Sequence, residues 1–310
     1  MMDTRLITFL ELVRTKSYTK TAQALYITQP AVTHHIKSLE KDNNIKLFSN
    51  TKTFRLSVAG QIIYEYAQKC ELMDNQLKQA LEKEASTTHI LKFATTNQVA
   101  SVIMNRVLIT WMKNHPMDKI IMNILNHNEI VDAIHNGEID FAIIDNNYDQ
   151  TLFNGKLLFS LAASICVGFG HSLSHKQKIN FEQLQKETII TNLESGSNDL
   201  LELALKKDNL SIETLPNVLK INDAKMVKDL VINGIGLALI YDDYIENDLK
   251  DKKIYTLNFE NNKFNQDINM IWSNDSLIEK QIINVANEIK AIYSEEKWWI
   301  QKYYMKIIIY

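Results

Sequence analysis

The chain has 310 residues, 34 Lys or Arg against 37 Asp or Glu for a net charge of −3, two cysteines, three prolines and 45% apolar residues. At roughly 100–200 residues per domain this length holds two or three domains, each able to bury a core. A charged fraction of 23% argues against wholesale disorder, and Cys70 and Cys166 stand too far apart for a disulfide scaffold or a CxxC knuckle. No basic-then-apolar leader opens the sequence and no run of about 18 apolar residues occurs, so the expected setting is reducing and cytoplasmic, without a membrane partner.

The small net charge hides an asymmetry. Residues 1–60 carry nine Lys or Arg against four Asp or Glu, a surplus of five positive charges, and the remainder carries a surplus of eight negative ones. A basic head on an acidic body suits a polyanion-binding module joined to a separate body. Chance alone can produce such a split, so the motifs must decide.

From Asp3 the apolar residues Leu6, Phe9, Leu10 and Val13 follow the spacing of an amphipathic helix. A second helical stretch covers Thr19–Leu25, with Ala22 and Leu25 on one face. The break Tyr26-Ile27-Thr28 precedes a third stretch, Gln29–Glu40. Thr28 suits the N-cap there and Pro30 the first turn, where its missing N–H costs nothing. Val32, Ile36 and Leu39 form the buried stripe, leaving Gln29, Thr33, His34 and Lys37 on other faces. Two short helices, a tight turn and a polar, basic second helix describe a helix-turn-helix. Gln29 can pair with adenine, Thr33 with a base or a phosphate, and Lys37 with phosphate. Downstream, Leu47-Phe48 and Thr51–Leu56 read as a short hairpin, or wing, with Lys52, Thr53 and Arg55 along it. Thr28, Gln29, Pro30, Thr33, His34, Lys37, Lys52, Thr53 and Arg55 are thus the candidate DNA-binding residues. A small helical domain with a solvated basic face is the competing explanation for any one of these elements alone.

The string Phe9…Ser17-Tyr-Thr-Lys-Thr-Ala22…Leu25…Gln29-Pro-Ala-Val-Thr33…Ile36…Leu39-Glu40…Leu47-Phe48…Leu56-Ser57-Val-Ala-Gly60 resembles the N-terminal signature of LysR-type transcriptional regulators. It departs from that pattern at Thr21, where the family has a second Ala, at Asn44 for a Gly, and at Asn50 for an Arg. The wing is also one residue short.

Beyond Gly60 the apolar positions Ile63, Tyr66, Cys70, Met73, Leu77 and Ala80 step by alternating threes and fours, as a coiled-coil seam does. A helix packed on its own domain shows a similar stripe. The helix-turn-helix favours a dimer helix, because a two-fold dimer reads two half-sites of a pseudo-palindrome. The resemblance implies the same pairing, and a dimer or tetramer as the assembled state. Cys70 then packs in the seam.

After Thr88 short β runs alternate with helices: strands near 89–94, 119–125 and 140–144, with helices over 98–114 and 128–136. A second series follows, with strands at 165–168, 188–191, 217–221 and 237–240 and helices near 181–185, 199–207 and 224–233. A strand at 267–272 and a helix at 277–292 close the body. The order β-α-β-α-β predicts two consecutive parallel α/β sheets with a crevice between them, and such sheets bind ligands beyond their strand carboxyl ends. Thr95, Thr96, Asn97, Asp145, Ser195, Ser197 and Asn222 stand at those ends and are the candidate effector residues. The same side chains are good helix caps. Helix N-termini at 97–98 and 197–198 offer amides to an anion, so an anionic effector is one expectation.

The resemblance extends into the body through Thr95-Thr96, Asn136–Ala142, His171-Ser-Leu173 and Leu230–Gly236, with departures at Ser172 and Tyr241, each a proline in the family pattern. It implies a two-lobed effector domain like the periplasmic solute-binding proteins, with the ligand at the hinge cleft. The expected fold is therefore an α/β chain. It comprises a winged helix-turn-helix at 1–60, a linker helix at 61–88 and an effector domain at 89–292, followed by an apolar tail at 293–310. Lobe 1 takes about 89–162 plus 267–292, and lobe 2 about 163–266.

No catalytic constellation competes. Gly234-Ile-Gly236 precedes a strand rather than opening a helix, no GxxxxGK[ST] or HExxH occurs, and Cys166 lies among apolar neighbours. His34 and His35 are adjacent and so face apart on a helix, unlike a metal pair. The apolar tail is expected to pack on the body or on another subunit. The function expected is a transcription regulator, not an enzyme and without cofactor. It would bind double-stranded promoter DNA and respond to a small molecule, and it would engage RNA polymerase if it activates. The alternative is a cytoplasmic solute-binding receptor whose N-terminal module mediates protein interaction.

Overall fold

The computed structural model of the chain describes residues 2–50, 53–85, 90–192, 196–207, 209–259 and 262–307. It divides into two compact units, one built on residues 1–86 and one on most of the rest.

The first unit begins with three helices whose starts are written in their caps. Asp3 accepts from the Arg5 amide at 2.8 Å and opens α1 (Thr4–Thr15), Ser17 opens α2 (Tyr18–Ala24), and Thr28 accepts from the Ala31 amide at 3.3 Å to open α3 (Gln29–Asp42). Pro30 occupies the first turn of α3, as its fixed φ favours. Asn44, the departure from glycine, adopts a φ of 52°, and asparagine tolerates that left-handed conformation better than most side chains. Thr21 is fully buried in place of alanine, yet its hydroxyl donates to the Ser17 carbonyl at 2.9 Å and so carries no unmet polar group. The wing pairs β1 (Phe48–Asn50) antiparallel with β2 (Arg55–Leu56). Asn50, standing where the family has arginine, accepts from the Thr53 amide at 3.2 Å and closes the turn. Phe9, Leu10, Leu12, Ile36, Leu39, Leu47 and Phe48 form the core, joined by Ala67 of the long helix α4 (Val58–Ala85).

The second unit opens with β3 (Ile90–Thr95), α5 (Asn97–Val99), a π-turn over Ala100–Met104, and α6 (Asn105–Asn114). Next come β4 (Lys119–Ile124), α7 (His127–His135) and β5 (Phe141–Ile144). Strand β3 pairs parallel with both β4 and β5, which is the predicted β-α-β-α-β half. The sequence read only a short strand at 165–168 in the following stretch. It is one 16-residue strand, β6 (Phe153–Gly168), followed by β7 (Lys178–Ile179), α8 (Phe181–Leu184), β8 (Ile189–Thr191), α9 (Gly196–Lys206) and β9 (Val218–Lys220). Then come α10 (Ala224–Ile232), β10 (Ala238–Tyr241), α11 (Asp242–Lys250), β11 (Ile254–Phe259), β12 (Phe264–Ser273) and α12 (Glu279–Ile307).

Two consecutive parallel sheets are therefore a misreading of the sheet order. The main sheet runs β4-β3-β5-β12-β6-β11-β7 with β10 also on β6, and β6 pairs antiparallel with β10, β11 and β12. Parallel pairing survives at β3, β4 and β5, at β8 with β9, and at β7 with β11. β6 meets β12 along Phe153–Ala163 and β10 and β11 along Ala163–Gly168, so one strand serves both halves of the unit. Residues 293–307, expected as a separate tail, continue α12. Tyr293 is buried where that stretch begins, its ring stacked on Phe159 at 4.0 Å and its hydroxyl donating to Asp243. Residues 308–310 lie outside the described residues.

Candidate functional site

The first unit presents one polar, basic face. Val32, Ile36 and Leu39 are buried beneath α3, while Thr28, Gln29, Pro30, His34 and Lys37 are exposed on it. Thr33 is half-buried and its hydroxyl donates to the Gln29 carbonyl at 3.1 Å, which leaves its oxygen to accept from an outside donor. The adjacent histidines face apart: a ring nitrogen of His35 meets the Thr8 hydroxyl at 2.9 Å, and His34 points outward. Charge is partitioned as well. Arg5 pairs with Asp3 and Asp42, Arg14 with Glu71, and Lys46 with Glu40, so these bases are neutralised locally. The positive surplus is left to exposed residues that include Lys20, Lys37 and Arg55. Thr53 and Arg55 are exposed on the wing; Lys52 lies outside the described residues.

Sequence reasoning passed over Tyr26. It is 96% exposed in the turn before α3 and holds a φ of 54°, a conformation that strains a bulky residue. A solvated phenol beside the start of a reading helix is a ready phosphate donor. The signal was available, as an aromatic at the centre of the helix-turn-helix break.

Among the described residues of α4 the exposed large apolar side chains are Val58, Ile62, Tyr66, Met73, Leu77 and Leu81. Tyr66, Met73 and Leu77 of the expected seam are thus exposed, and Cys70 is half-buried. Ile63 instead packs against the core of its own unit, and its place on the stripe falls to Ile62. The side chain of Ala80 lies outside the described residues.

In the second unit three chain segments converge on Asp145, at the end of β5. Its carboxylate is fully buried. Oδ1 accepts from the Thr96 hydroxyl at 2.8 Å, and Oδ2 accepts from the Gly196 amide at 3.1 Å and the Tyr241 hydroxyl at 2.9 Å. Burial pushes the carboxyl above the ordinary aspartate range, opposed by those three hydrogen bonds, and burial likewise pushes the Tyr241 phenol well up. Glycine is required at 196, because a Cβ there would stand 2.0 Å from the Asp145 carbonyl oxygen. Two further bonds reinforce the knot, one between two of these segments and one to the start of α10. The Gln98 amide donates to Ser197 Oγ at 3.1 Å, and the Ala224 amide donates to Asn97 Oδ1 at 3.1 Å.

Beside this knot lies a cavity of about 280 Å³ lined by Thr96, Asn97, Gln98, Ile124, Leu125, Asn126, Glu129, Asn192 and Asn222. Of the expected effector residues, Thr96, Asn97 and Asn222 line it. Asp145 and Ser197 sit behind it as ties, and Thr95 is buried at the strand end. Ser195 lies outside the described residues. The sequence reading did not select Gln98, Asn126, Glu129 or Tyr241. Asn126 and Glu129 betray themselves as a reciprocal cap after a strand, since each accepts from the other's amide at 2.9 Å.

A basic, winged helix-turn-helix followed by a long helix and an α/β unit with a polar cavity at its strand ends defines a ligand-responsive DNA-binding protein. Two family models match: "Bacterial regulatory helix-turn-helix protein, lysR family" over residues 4–61 and "LysR substrate binding domain" over residues 85–291. The chain belongs to the LysR family of transcriptional regulators, which are not enzymes. Among curated relatives, the HTH-type transcriptional regulator CysL of Bacillus subtilis is 26% identical over 271 residues, covering 86% of this chain and 89% of CysL. Among solved structures, a full-length OxyR variant from Pseudomonas aeruginosa superposes with a TM-score of 0.68 at 16% identity, covering 94% of this chain and 95% of that one. LysG of Corynebacterium glutamicum, solved with its effector Arg, gives 0.65 at 14% identity over 95% of this chain and 99% of that one. OxyR of C. glutamicum, solved with H2O2 bound, gives 0.59 at 18% identity over 94% and 92%. The helix-turn-helix implies DNA binding, and the substrate-binding domain implies a small-molecule effector. No described helix is long and apolar enough to cross a membrane.

Proposed function

We propose that α3 reads a promoter through Gln29, Thr33, His34 and Lys37, with Thr28 and Pro30 shaping its N-terminus and Lys52, Thr53 and Arg55 holding phosphates from the wing. The observation that carries this reading is the exposure of Gln29, His34 and Lys37 above a fully packed apolar stripe. The two contact types predict different losses. Lys37→Ala weakens binding to all duplexes alike and flattens the salt dependence by about one unit. Gln29→Ala costs about 1–3 kcal/mol at the cognate site and little on random duplex. Fluorescence anisotropy with both duplexes measures this, and equal losses for Gln29→Ala on the two would remove its base-reading role.

The exposed stripe on α4 supports a homodimer, as dimer or tetramer, reading a pseudo-palindromic site, with RNA polymerase as a further partner if the protein activates. The effector occupies the cavity at Thr96, Asn97 and Asn222, between a lobe of about 89–162 plus 267–292 and a lobe of about 163–266, with β6 and β12 as the strands passing between them. Effector binding shifts the arrangement of the DNA-binding heads only by its differential affinity for two arrangements, typically about 1–3 kcal/mol of coupling. The peroxide of C. glutamicum OxyR does not transfer to Cys166. That thiol is fully buried and its burial pushes its pKa well up, whereas peroxide needs an accessible thiolate.

A further inference from the structure

The lining of the cavity specifies a charge that its position at the strand ends does not. Glu129 is the one ionisable side chain among the described lining residues, and no Lys, Arg or His joins it. An anionic effector would shed its water there without gaining a cationic partner.

The hydrogen-bond roles left open include three acceptors that suit a cationic donor. The Thr96 hydroxyl donates to Asp145, so toward a ligand its oxygen accepts. Gln98 uses one N–H on Ser197, which leaves its carbonyl oxygen to accept and its second N–H to donate. Glu129 uses Oε2 for the Asn126 amide and keeps a second oxygen for another donor. Asn97 and Asn126 run the other way, since the Oδ1 of each accepts a backbone amide, from Ala224 and Glu129 respectively, and their NH2 groups remain to donate. Ile124 and Leu125 supply an apolar wall. At about 280 Å³ the space lies just below the roughly 300–1,000 Å³ found for small-molecule pockets, which suits a small ligand.

Resting on the reading of this cavity as the effector site, we propose that the effector is a small polar molecule bearing a protonated amine or guanidinium group. That group pairs with Glu129 and donates toward Thr96 and Gln98, and a short aliphatic stem lies against Ile124 and Leu125.

A matched five-carbon series tests it on the full-length protein: cadaverine, δ-aminovalerate and glutarate, by thermal shift and isothermal titration at millimolar concentration. The two amine-bearing probes are expected to raise Tm, and glutarate is expected to leave it unchanged. Glu129→Gln keeps the reciprocal cap, because glutamine serves in it as well as glutamate, and is expected to weaken both amines at least about tenfold. Ile124→Trp, which fills the cavity without touching its polar ties, is expected to abolish binding. Glutarate binding that Ile124→Trp abolishes overturns the charge class and leaves the cavity as the effector site. Amine binding that survives both substitutions overturns the charge class and the site together, and no shift with either amine overturns the charge class.

Discussion

Replacing Asp145 by alanine lowers the stability of the second unit by about 2–4 kcal/mol, a drop in Tm of roughly 5–15 °C. The side chain is fully buried and three donors end on it: the Thr96 hydroxyl, the Gly196 amide and the Tyr241 hydroxyl. Alanine leaves all three without their acceptor, at about 1–3 kcal/mol per buried unmet group before relaxation. Asp145→Asn is the milder change. It keeps the shape and, with its carbonyl toward Gly196 and Tyr241, lets the Thr96 hydroxyl turn to accept from the new NH2, so its cost is about 1 kcal/mol. The two substitutions also separate in pH. Burial raises the Asp145 carboxyl above its ordinary range, so the folded chain holds a proton that the unfolded chain has released. Across the window from the ordinary value up to the raised one, the contribution of this group to stability falls as pH rises. Asparagine does not titrate, so the deficit of Asp145→Asn against the parent is largest below that window and shrinks through it. Urea melts of both proteins across acid and neutral pH measure this, and a deficit that grows with pH would contradict the buried-carboxylate account.

The largest loss in the head is expected from Phe9→Ala. Phe9 is fully buried at the centre of the first core and meets Phe48 edge-on at 5.9 Å and Tyr64 at 6.4 Å. Removing a buried phenylalanine costs about 3–5 kcal/mol, comparable to what a core of this size supplies in total. The expected result is loss of DNA binding together with the head's melting transition, while the second unit keeps its own transition and its response to ligand. A variant that binds duplex with unchanged affinity would show that Phe9 is not the keystone of that core.

The head was legible because its signals are local. Asp3, Ser17 and Thr28 each stand one residue before a helix start, and Val32, Ile36 and Leu39 repeat at helical spacing. The departures Thr21, Asn44 and Asn50 were visible as departures, but their explanations are tertiary or conformational: a hydroxyl bonded to Ser17, a left-handed φ, a turn closed on Thr53. In the body, β3, β4 and β5 were readable, whereas β6 was not. Its sequence FNGKLLFSLAASICVG includes Gly155, Lys156, Ser160 and consecutive alanines, poor strand formers that are held extended by pairing with the distant β12. That non-local pairing also explains the mistaken sheet order.

The candidate effector site was half legible for the same reason. Strand-end polar residues such as Thr96, Asn97 and Asn222 stand out in sequence, but nothing local distinguishes a lining residue from a tie. Asp145 and Ser197 proved to be ties. Tyr241 was noticed only as a missing proline, and its partner Asp145 lies 96 positions away.

Sequence-selective hold on DNA through the basic face of α3 is the proposal on which the regulatory reading of this LysR-family chain depends. The most direct measurement is anisotropy titration of the full-length protein against a duplex from upstream of its own gene and against a scrambled duplex of equal length, at low and near-physiological salt. The cognate affinity is expected to be at least about 100-fold tighter than the scrambled one at the higher salt, with both weakening as salt rises. Equal affinity for the two duplexes, or no binding to either at low salt, would contradict that proposal.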